Sequence, residues 1–188
     1  MHSIEELEQY AKDHYIPIAR KALVLFLIDL VKEKGYKTVL ECGSGIAYTS
    51  IQLALLDEVH VDTFEYYIPR FEIAKQNIKD FNLEDKITIS DQDIMTAELG
   101  KSFDLIFIDG AKRHTIDHFN YLKDKLNDGG TIVVDDIDLK VTEKIERARK
   151  RQKYERAVRE TKEFFENIEG YEATYMPIGD GIYVVTKK

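Results

Sequence analysis

The sequence predicts an α/β fold: a doubly wound, mostly parallel sheet of seven strands that ends in an antiparallel C-terminal hairpin. Short β-branched runs alternate with helical patterns through most of the chain, and this order produces parallel strands joined by crossover helices. The closing segment 171–188 reads as two strands around a Gly-Asp-Gly turn, which adds the antiparallel pair. No Gly/Ser linker, repeat or low-complexity tract interrupts the chain. We therefore expect one domain that spans residues 1–188.

The boundaries of the helices and strands follow from stop signals and hydrophobic periodicity. Ser3 with Glu6 three residues later is a capping-box pattern, so we place a first helix within residues 1–15. Gly35 supplies the stop of a second helix. The NDGG run at 127–130 is expected to close a later helix. The pattern predicts helices over 20–34, 48–56, 68–81, 114–127 and about 140–167, and strands over 37–42, 59–65, 86–90, 103–109 and 131–136, ahead of the C-terminal pair.

Composition and charge exclude several classes of protein. The longest apolar run, ALVLFLI (22–28), is followed directly by Asp29 and falls well short of the roughly 20 residues that a membrane span needs. The acidic, amphipathic N-terminus lacks the basic and apolar regions of a signal peptide. Cys42 is the single cysteine, so the chain has no internal disulfide and no thiolate zinc cage. We expect a cytoplasmic protein with no membrane partner.

Acidic residues follow almost every predicted parallel strand. In a doubly wound sheet the carboxyl ends of the strands meet at one edge, and ligands bind there. A single acid at such a position is as readily a solvated loop residue. Together, however, the acids indicate a shared site, and they are Glu41, Glu65, Asp91 or Asp93, Asp109, Asp135 and Asp136.

The glycine turn after the first predicted strand, within VLECGSGIAYTS (39–50), is the main candidate for ligand binding. The chain has Tyr48 where a dinucleotide fingerprint has its third glycine, which argues against a pyrophosphate cradle. A ligand with a carboxylate and a ribose fits better, because the Thr49 hydroxyl suits the anion and Glu65 suits ribose hydroxyls. S-adenosylmethionine has both groups, and its sulfonium cation favours a nearby acid such as Glu41.

Several segments carry a resemblance to a known family. In the order seen in class I S-adenosylmethionine-dependent O-methyltransferases of the catechol O-methyltransferase-like group, the chain contains VLECGSGIAYTS, VDTFEYYIPRFEIAKQNI, FDLIFIDGAK, GGTIVVDD and PIGDGIYVV. The segments MPIGDGIYVV and LEQYAKDHYIPI are most similar to small bacterial members, among them the tRNA 5-hydroxyuridine methyltransferases. The resemblance covers nearly the whole chain and implies a Rossmann-like fold.

The resemblance also implies roles for individual residues. Three acids from two neighbouring strand ends would hold Mg²⁺ or another divalent cation, which prefers hard oxygen ligands. Lys112 would stabilise the oxyanion of the acceptor or, if its pKa is depressed, accept the proton. By resemblance the metal ligands are Asp109, Asp135 and Asp136, the catalytic residues are Lys112 and Asp109, and the cofactor contacts are Glu41, Gly43, Gly45, Tyr48, Thr49, Glu65, Asp93 and Asp109.

The chain departs from the family pattern at two places. The family usually has Asn at the position of Asp136, so this chain carries an extra negative charge at the metal site. Many relatives have Glu-Gly after the IPI segment, where this chain reads ARKA (19–22). The two departures motivate one alternative of another class, a non-catalytic module that keeps the cofactor pocket.

A basic run distinguishes residues 144–159, which hold eight Lys or Arg against two Glu in a chain of net charge −8. Charge runs are most often solvated helix faces. Phosphate contacts by such residues would instead favour an RNA substrate and a steep dependence of binding on salt. The candidate RNA-binding residues are Arg147, Arg149, Lys150, Arg151 and Lys153.

The substrate and the oligomeric state are open at this point. The leading hypothesis is methylation of the wobble 5-hydroxyuridine of tRNA, and the alternative is a small phenolic or catechol-like hydroxyl substrate. The amphipathic helix within residues 1–15 is a candidate dimer element, so a homodimer is a further hypothesis.

Overall fold

The computed structural model describes residues 1–138 and 147–188. In these two ranges the chain forms a seven-stranded sheet with helices on both faces, which confirms the predicted fold class. In chain order the helices are α1 (Ile4–Asp13), α2 (Lys21–Lys34), α3 (Tyr48–Ala54), α4 (Ile68–Asp80), α5 (Thr115–Leu122) and α6 (Ala148–Glu166), and the strands are β1 (Thr38–Cys42), β2 (His60–Phe64), β3 (Ile87–Ser90), β4 (Phe103–Ile108), β5 (Leu126–Val134), β6 (Tyr171–Met176) and β7 (Ile182–Lys187).

The strand order across the sheet is β3-β2-β1-β4-β5-β7-β6. Strands β1 to β5 pair in parallel, while β7 lies antiparallel between β5 and β6. The strand order reverses between β1 and β4, and at such a switch point the loops after neighbouring strands diverge and open a crevice. The predicted ligand edge therefore lies at the carboxyl ends of β1 and β4.

Alternate residues of the central strands enter two separate cores. Val39 and Leu105 face the core that α1 to α4 cover, while Leu40 and Ile106 face the core that α5 and α6 cover. All four side chains are fully buried, and burial of each stabilises the fold by about 2 kcal/mol. Close packing on both faces makes the sheet a rigid support for the loops at its edge.

The longest apolar run of the sequence lies in α2. Its residues Leu23, Val24, Leu27 and Val31 are buried in the core, so packing accounts for the run. Across residues 1–138 and 147–188, no helix combines the length and the apolar character that a membrane crossing requires.

Helix α1 begins at the predicted capping box. The Glu6 N–H donates to the Ser3 hydroxyl at 3.2 Å. The apolar face of α1, with Leu7 and Ala11, is buried in the core, and the helix contacts α3. The face that suggested a homodimer is therefore covered within the chain itself, and dimerisation stays a prediction.

The predicted boundaries within residues 114–136 are wrong. Helix α5 ends before the predicted stop, and β5 begins at Leu126 rather than at residue 131. The NDGG run lies inside β5, where the register against β4 shifts. A Cβ on Gly130 would lie 2.7 Å from the Asp104 carbonyl oxygen. Glycine is needed there for the close approach of two strands and not to stop a helix.

Helix α6 is the charged helix that the sequence predicts from about residue 140. It is observed from Ala148, and residues 139–146 lie outside the described ranges. Phe165 packs edge-on against Phe119 of α5, with ring centroids 5.1 Å apart. The helix also contacts the 3₁₀ turn Lys112–His114, which brings it to the ligand edge of the sheet.

Candidate active site

A cavity of about 1160 Å³ opens at the carboxyl ends of β1, β2, β4 and β5. Its walls come from the glycine turn after β1, the loops after β2, β4 and β5, and the segment 16–20 between α1 and α2. Tyr154 of α6 and Asp180 of the hairpin turn complete the lining. The predicted ligand edge is therefore a formed site, large enough for a cofactor together with a small substrate group.

The glycine turn after β1 meets the loop after β4 at very short distance. Gly43 has φ +102°, and a Cβ on it would lie 2.5 Å from the Asp109 carbonyl oxygen, so no side chain fits there. The Asp109 N–H donates to the Cys42 carbonyl oxygen at 3.1 Å. The turn and the acidic loop are thus joined through their backbones.

Two buried acids lie beside the turn. Glu65, after β2, accepts from the Gly45 N–H at 3.1 Å and so fixes the second glycine. Glu41 accepts from the Thr63 hydroxyl at 2.7 Å and from the Ser50 hydroxyl. Burial raises the pKa of Glu41 to about 7. Both acids line the cavity, so each can also contact a ligand.

Three carboxylates meet where β4 and β5 end, and we call them the acid cluster. Asp109, Asp135 and Asp136 each place an oxygen within 4.8 Å of the other two. The Asp136 N–H donates to Asp135 Oδ1 at 2.6 Å. Asp136 has φ +59°, a left-handed conformation that Asn and Asp adopt more readily than other non-glycine residues. Its backbone therefore suits either residue, and the departure from the family pattern is compatible with this turn.

Lys112 is the cation of the acid cluster. Its Nζ lies 2.6 Å from Asp136 Oδ2 and 3.6 Å from Asp109 Oδ1, and it donates to the Asp135 carbonyl oxygen at 3.4 Å. Burial opposes the charge, but the three carboxylates outweigh burial and raise the pKa of Lys112. In this arrangement the lysine is protonated at neutral pH, which is the opposite of the depressed pKa that a proton acceptor requires.

The acid cluster fits a divalent cation. Burial first, and repulsion among the carboxylates second, raise the pKa of Asp109 to about 7 and that of Asp135 to about 8. Raised pKa values of this kind in a cleft are typical of functional sites. A divalent ion would relieve the repulsion, and oxygen ligands are those that Mg²⁺ prefers.

The glycine turn fits a polar cofactor. The Ser44 hydroxyl is buried and has no hydrogen-bond partner among residues 1–138 and 147–188, although buried polar atoms normally have one. Ser44 and Thr49 are both residues of the cavity lining. A buried hydroxyl that lacks a protein partner can donate to, or accept from, a ligand bound beside it.

Every residue that the sequence predicts for the cofactor, the metal and catalysis lies on this cavity. Asp91, the alternative to Asp93, does not line it. The five candidate RNA-binding residues, 147, 149–151 and 153, lie at the start of α6 and outside the cavity wall. The predicted residues on the wall are Glu41, Gly43, Gly45, Tyr48, Thr49, Glu65, Asp93, Asp109, Lys112, Asp135 and Asp136.

Among the wall residues that sequence reasoning missed are Ser44, Tyr154 and Arg20. No spacing in the sequence distinguishes Ser44 from other turn residues or Tyr154 from other helix residues. Arg20 had a signal, because it lies in the segment 19–22 that departs from the family pattern. Ala19 and Arg20 line the cavity, whereas residues 21 and 22 do not.

The fold and site together define a Rossmann-like α/β protein with a ligand site: the strand order reverses between β1 and β4, a glycine turn follows β1 and an acid follows β2. The family model for O-methyltransferases matches residues 2–188. The chain therefore belongs to the O-methyltransferase family, which is a family of enzymes.

Solved structures agree with this assignment. A putative caffeoyl-CoA O-methyltransferase from Staphylococcus aureus is 26% identical, with a TM-score of 0.89 over 99% of this chain and 92% of that one. An O-methyltransferase from Bacillus cereus in complex with SAH is 23% identical, with a TM-score of 0.79 over 98% and 90%. TomG from Streptomyces achromogenes, involved in tomaymycin synthesis and in complex with SAM, is 18% identical, with a TM-score of 0.80 over 98% and 89%. The last two show likeness of fold.

Gly43→Ala tests the close contact between the two loops. We expect it to lower the free energy of unfolding by about 2–4 kcal/mol, because the new Cβ collides with backbone and the backbone conformation is strained for alanine. Gly45→Ala is the matched control, since its Cβ would meet no atom closer than 3.7 Å. We expect it to cost about 1 kcal/mol. Urea unfolding measures both, and equal small costs would contradict the contact.

Asp135→Asn tests the repulsion in the acid cluster. The pKa of Asp135 is about 8 in the folded chain against an ordinary value of 3.8. The folded state therefore holds the proton more tightly, and this group's contribution to stability falls as pH rises from about 4 through about 8. Without divalent ions at pH 8, we expect the variant to melt about 3 °C or more above the wild type. The difference should shrink toward pH 4.

Added Mg²⁺ provides the control for this variant. Mg²⁺ at pH 8 should raise the melting temperature of the wild type, because an ion that binds only the folded state stabilises it. The same ion should have little effect on Asp135→Asn. Identical melting of both proteins at pH 8, or equal stabilisation of both by Mg²⁺, would contradict the proposed origin of the pKa shifts.

Proposed function

We propose that this chain binds S-adenosylmethionine in the glycine turn and transfers its methyl group to a hydroxyl oxygen beside the acid cluster, with a divalent cation in that cluster. One observation carries the proposal. The turn and the acid cluster are walls of one cavity and join where Gly43 meets Asp109. Transfer between two bound molecules depends on close, oriented reactants, and a shared cavity supplies that proximity. The fold shared with structures that contain SAH and SAM supports the choice of cofactor.

The residues around the turn would hold the cofactor by its polar groups. When bound, S-adenosylmethionine supplies an electrophilic methyl group on a sulfonium centre. Ser44 and Thr49 offer hydroxyls to its carboxylate end. Glu65 has lone pairs left for ribose hydroxyls after accepting from the turn. Asp93, exposed on the loop after β3, would accept from the adenine amine.

The residues of the acid cluster would orient and activate the acceptor. Asp109, Asp135 and Asp136 would hold a divalent ion, which would make the acceptor hydroxyl more acidic, so that its proton would pass to solvent in the open cavity as the methyl group is transferred. Lys112 lies against the same carboxylates and would stabilise negative charge on the acceptor oxygen.

We propose the wobble 5-hydroxyuridine of tRNA as the substrate, and α6 supports this choice. Tyr154 lines the cavity, and the Nζ of Lys150 lies 5.8 Å from its ring centroid. Arg147 and Arg149 are exposed at the start of the same helix. Single-stranded RNA is bound by stacking on aromatic rings together with phosphate contacts, so a loop nucleotide suits this corner of the cavity.

A small catechol-like molecule is the second candidate substrate. The 26% identical structure from Staphylococcus aureus is described as a putative caffeoyl-CoA O-methyltransferase. The wall formed by Ile16, Pro17 and Ile18 is apolar and lies on the same cavity as the acid cluster. Such a wall suits a small aromatic ring.

Lys112→Met tests the electrostatic role of the lysine. We expect kcat at saturating cofactor to fall by about 10²- to 10³-fold, because a preorganised positive charge beside the acceptor oxygen is lost. Cofactor affinity, measured by calorimetry, should stay nearly unchanged, since Lys112 contacts the acid cluster and not the turn. Lys112→Arg should keep part of the activity. The control is Lys79→Met on the exposed side of α4, and unchanged kcat in Lys112→Met would contradict the role.

A transfer assay tests the RNA substrate. The chain is incubated with S-adenosylmethionine labelled in the methyl group and with tRNA from cells that lack this chain, and label in the tRNA is measured. We expect transfer, and we expect Gln at positions 149, 150 and 151 to lower kcat/KM at least about tenfold at moderate salt. The salt dependence should also become shallower, because each lost phosphate contact reduces it.

A second triple variant separates local from general charge. Gln at positions 32, 34 and 79 removes the same charge from exposed sites on α2 and α4. It should leave kcat/KM for tRNA nearly unchanged. Labelling of catechol without labelling of tRNA would select the second candidate. Equal losses in both triple variants would show that the basic start of α6 is only a charged surface.

A further inference from the structure

Arg20 lies between two chemically different parts of the cavity. It follows the apolar wall at 16–18 and faces Asp180 in the turn between β6 and β7. The Arg20 Nε–H donates to Asp180 Oδ2 at 2.7 Å. Its aliphatic stem packs over Gly179, where an added Cβ would meet the stem at 3.2 Å. The guanidinium is therefore held in place, although half of the side chain is exposed.

The charge of Arg20 interacts electrostatically with the acid cluster. Asp180 first, and then Asp136 and Asp135 at longer range, raise the pKa of Arg20. Within residues 1–138 and 147–188, the Nε–H is the guanidinium donor that has a hydrogen-bond partner. The terminal nitrogens keep their donors for a ligand in the cavity. A guanidinium fork matches the two oxygens of a carboxylate or a phosphate.

We propose that Arg20 recognises an acidic group, a carboxylate or a phosphate, on the molecule whose hydroxyl is methylated. This rests on the proposed function and specifies its substrate class. A ring would pack on the apolar wall at 16–18, the hydroxyl would meet the acid cluster, and the acidic group would meet Arg20. Three adjoining surfaces of different chemistry match three parts of one substrate.

Local charge is compatible with an acidic substrate group. The acid cluster and Asp180 contribute four carboxylates, and Lys112 and Arg20 contribute two cations. A divalent ion bound in the cluster balances the remainder, so the acidic group meets Arg20 without net repulsion.

A purely structural role is the competing explanation, since the Arg20–Asp180 pair joins the segment after α1 to the hairpin turn. Its side chains are 51% and 27% exposed, and ion pairs that are open to solvent usually contribute about 0–1 kcal/mol. If the Arg20–Asp180 pair has only a structural role, replacing Arg20 should change the affinities for neutral and acidic ligands equally. Recognition predicts an effect on acidic ligands alone.

Two pairs of probes, each differing by one acidic group, separate these explanations. They are 3,4-dihydroxybenzoate with catechol, and 5-hydroxyuridine 3′-monophosphate with 5-hydroxyuridine. Calorimetry with Mg²⁺, both with and without S-adenosylhomocysteine, gives each dissociation constant. We expect the wild type to prefer the acidic member of at least one pair by roughly tenfold. Arg20→Gln should bring that ratio close to one and leave the neutral member unaffected. The pair that shows the preference identifies a small carboxylate or a nucleotide as the source.

Two further variants serve as controls. Asp180→Asn breaks the ion pair and keeps the cation, so the preference should persist or increase. Arg70→Gln removes another cation of the cavity wall, one that lies 5.6 Å from the Tyr67 ring centroid, and it should leave the ratio unchanged. If Asp180→Asn loses the preference to the same extent as Arg20→Gln, the ion pair has a structural role, and recognition of the acidic group by Arg20 is overturned.

The proposed function and this inference fail in different ways. Absence of any acidic preference in the wild type, including absence of binding by both pairs, overturns the inference. S-adenosylhomocysteine binding, measured by itself, tests the proposed function. If the chain binds S-adenosylhomocysteine but shows no preference for acidic ligands, the proposed function stands and the role of Arg20 is overturned. If the chain prefers acidic ligands but does not bind S-adenosylhomocysteine, the role of Arg20 stands and the proposed function is overturned.

Discussion

Repulsion among closely spaced carboxylates at the ends of β4 and β5 is the constraint on which the site depends. Asp109, Asp135 and Asp136 each place an oxygen within 4.8 Å of the other two, and burial together with this repulsion raises the pKa of Asp109 to about 7 and that of Asp135 to about 8. Lys112 supplies one positive charge and is itself fixed by the acids. The repulsion destabilises the folded chain when no ion is bound. A cation that enters the cluster therefore gains affinity from the strain it relieves.

The sheet makes such an arrangement tolerable. Two hydrophobic cores, one on each face, hold the central strands at fixed register, so that the strand ends cannot spread apart in response to charge. The glycine turn is fixed in the same way from the next strand, because Glu65 accepts from the Gly45 N–H. Stability and function thereby depend on different parts of the chain. The packed strands provide stability, and the loops at their ends provide ligand recognition and chemistry.

The sequence predicts the fold and much of the wall because both depend on local order. Alternation of strands and helices requires a parallel sheet, and a parallel sheet brings acids such as Glu65 and Asp109 to one edge whatever the loops do. The predicted start of β5 is wrong because glycine can have more than one structural role. Gly130 permits the close contact of two strands, whereas its sequence context is typical of a helix stop. Tyr154 fails for another reason. Its place on the cavity depends on segments far apart in the chain, and no spacing in one sequence encodes that distance.

The backbone contact at Gly43 has a consequence for how the two halves of the cavity communicate. The turn touches the loop after β4 with no intervening side chain to absorb movement. A displacement of the first glycine is transmitted to the carbonyl of Asp109, which is one of the three residues proposed to bind a divalent cation. Coupling between two binding sites is reciprocal. If a ligand in the turn changes the dissociation constant of an ion in the acid cluster by some factor, the ion changes the dissociation constant of that ligand by the same factor. An inhibitor bulky enough to push the turn outward would therefore also weaken the proposed binding of a divalent ion in the acid cluster.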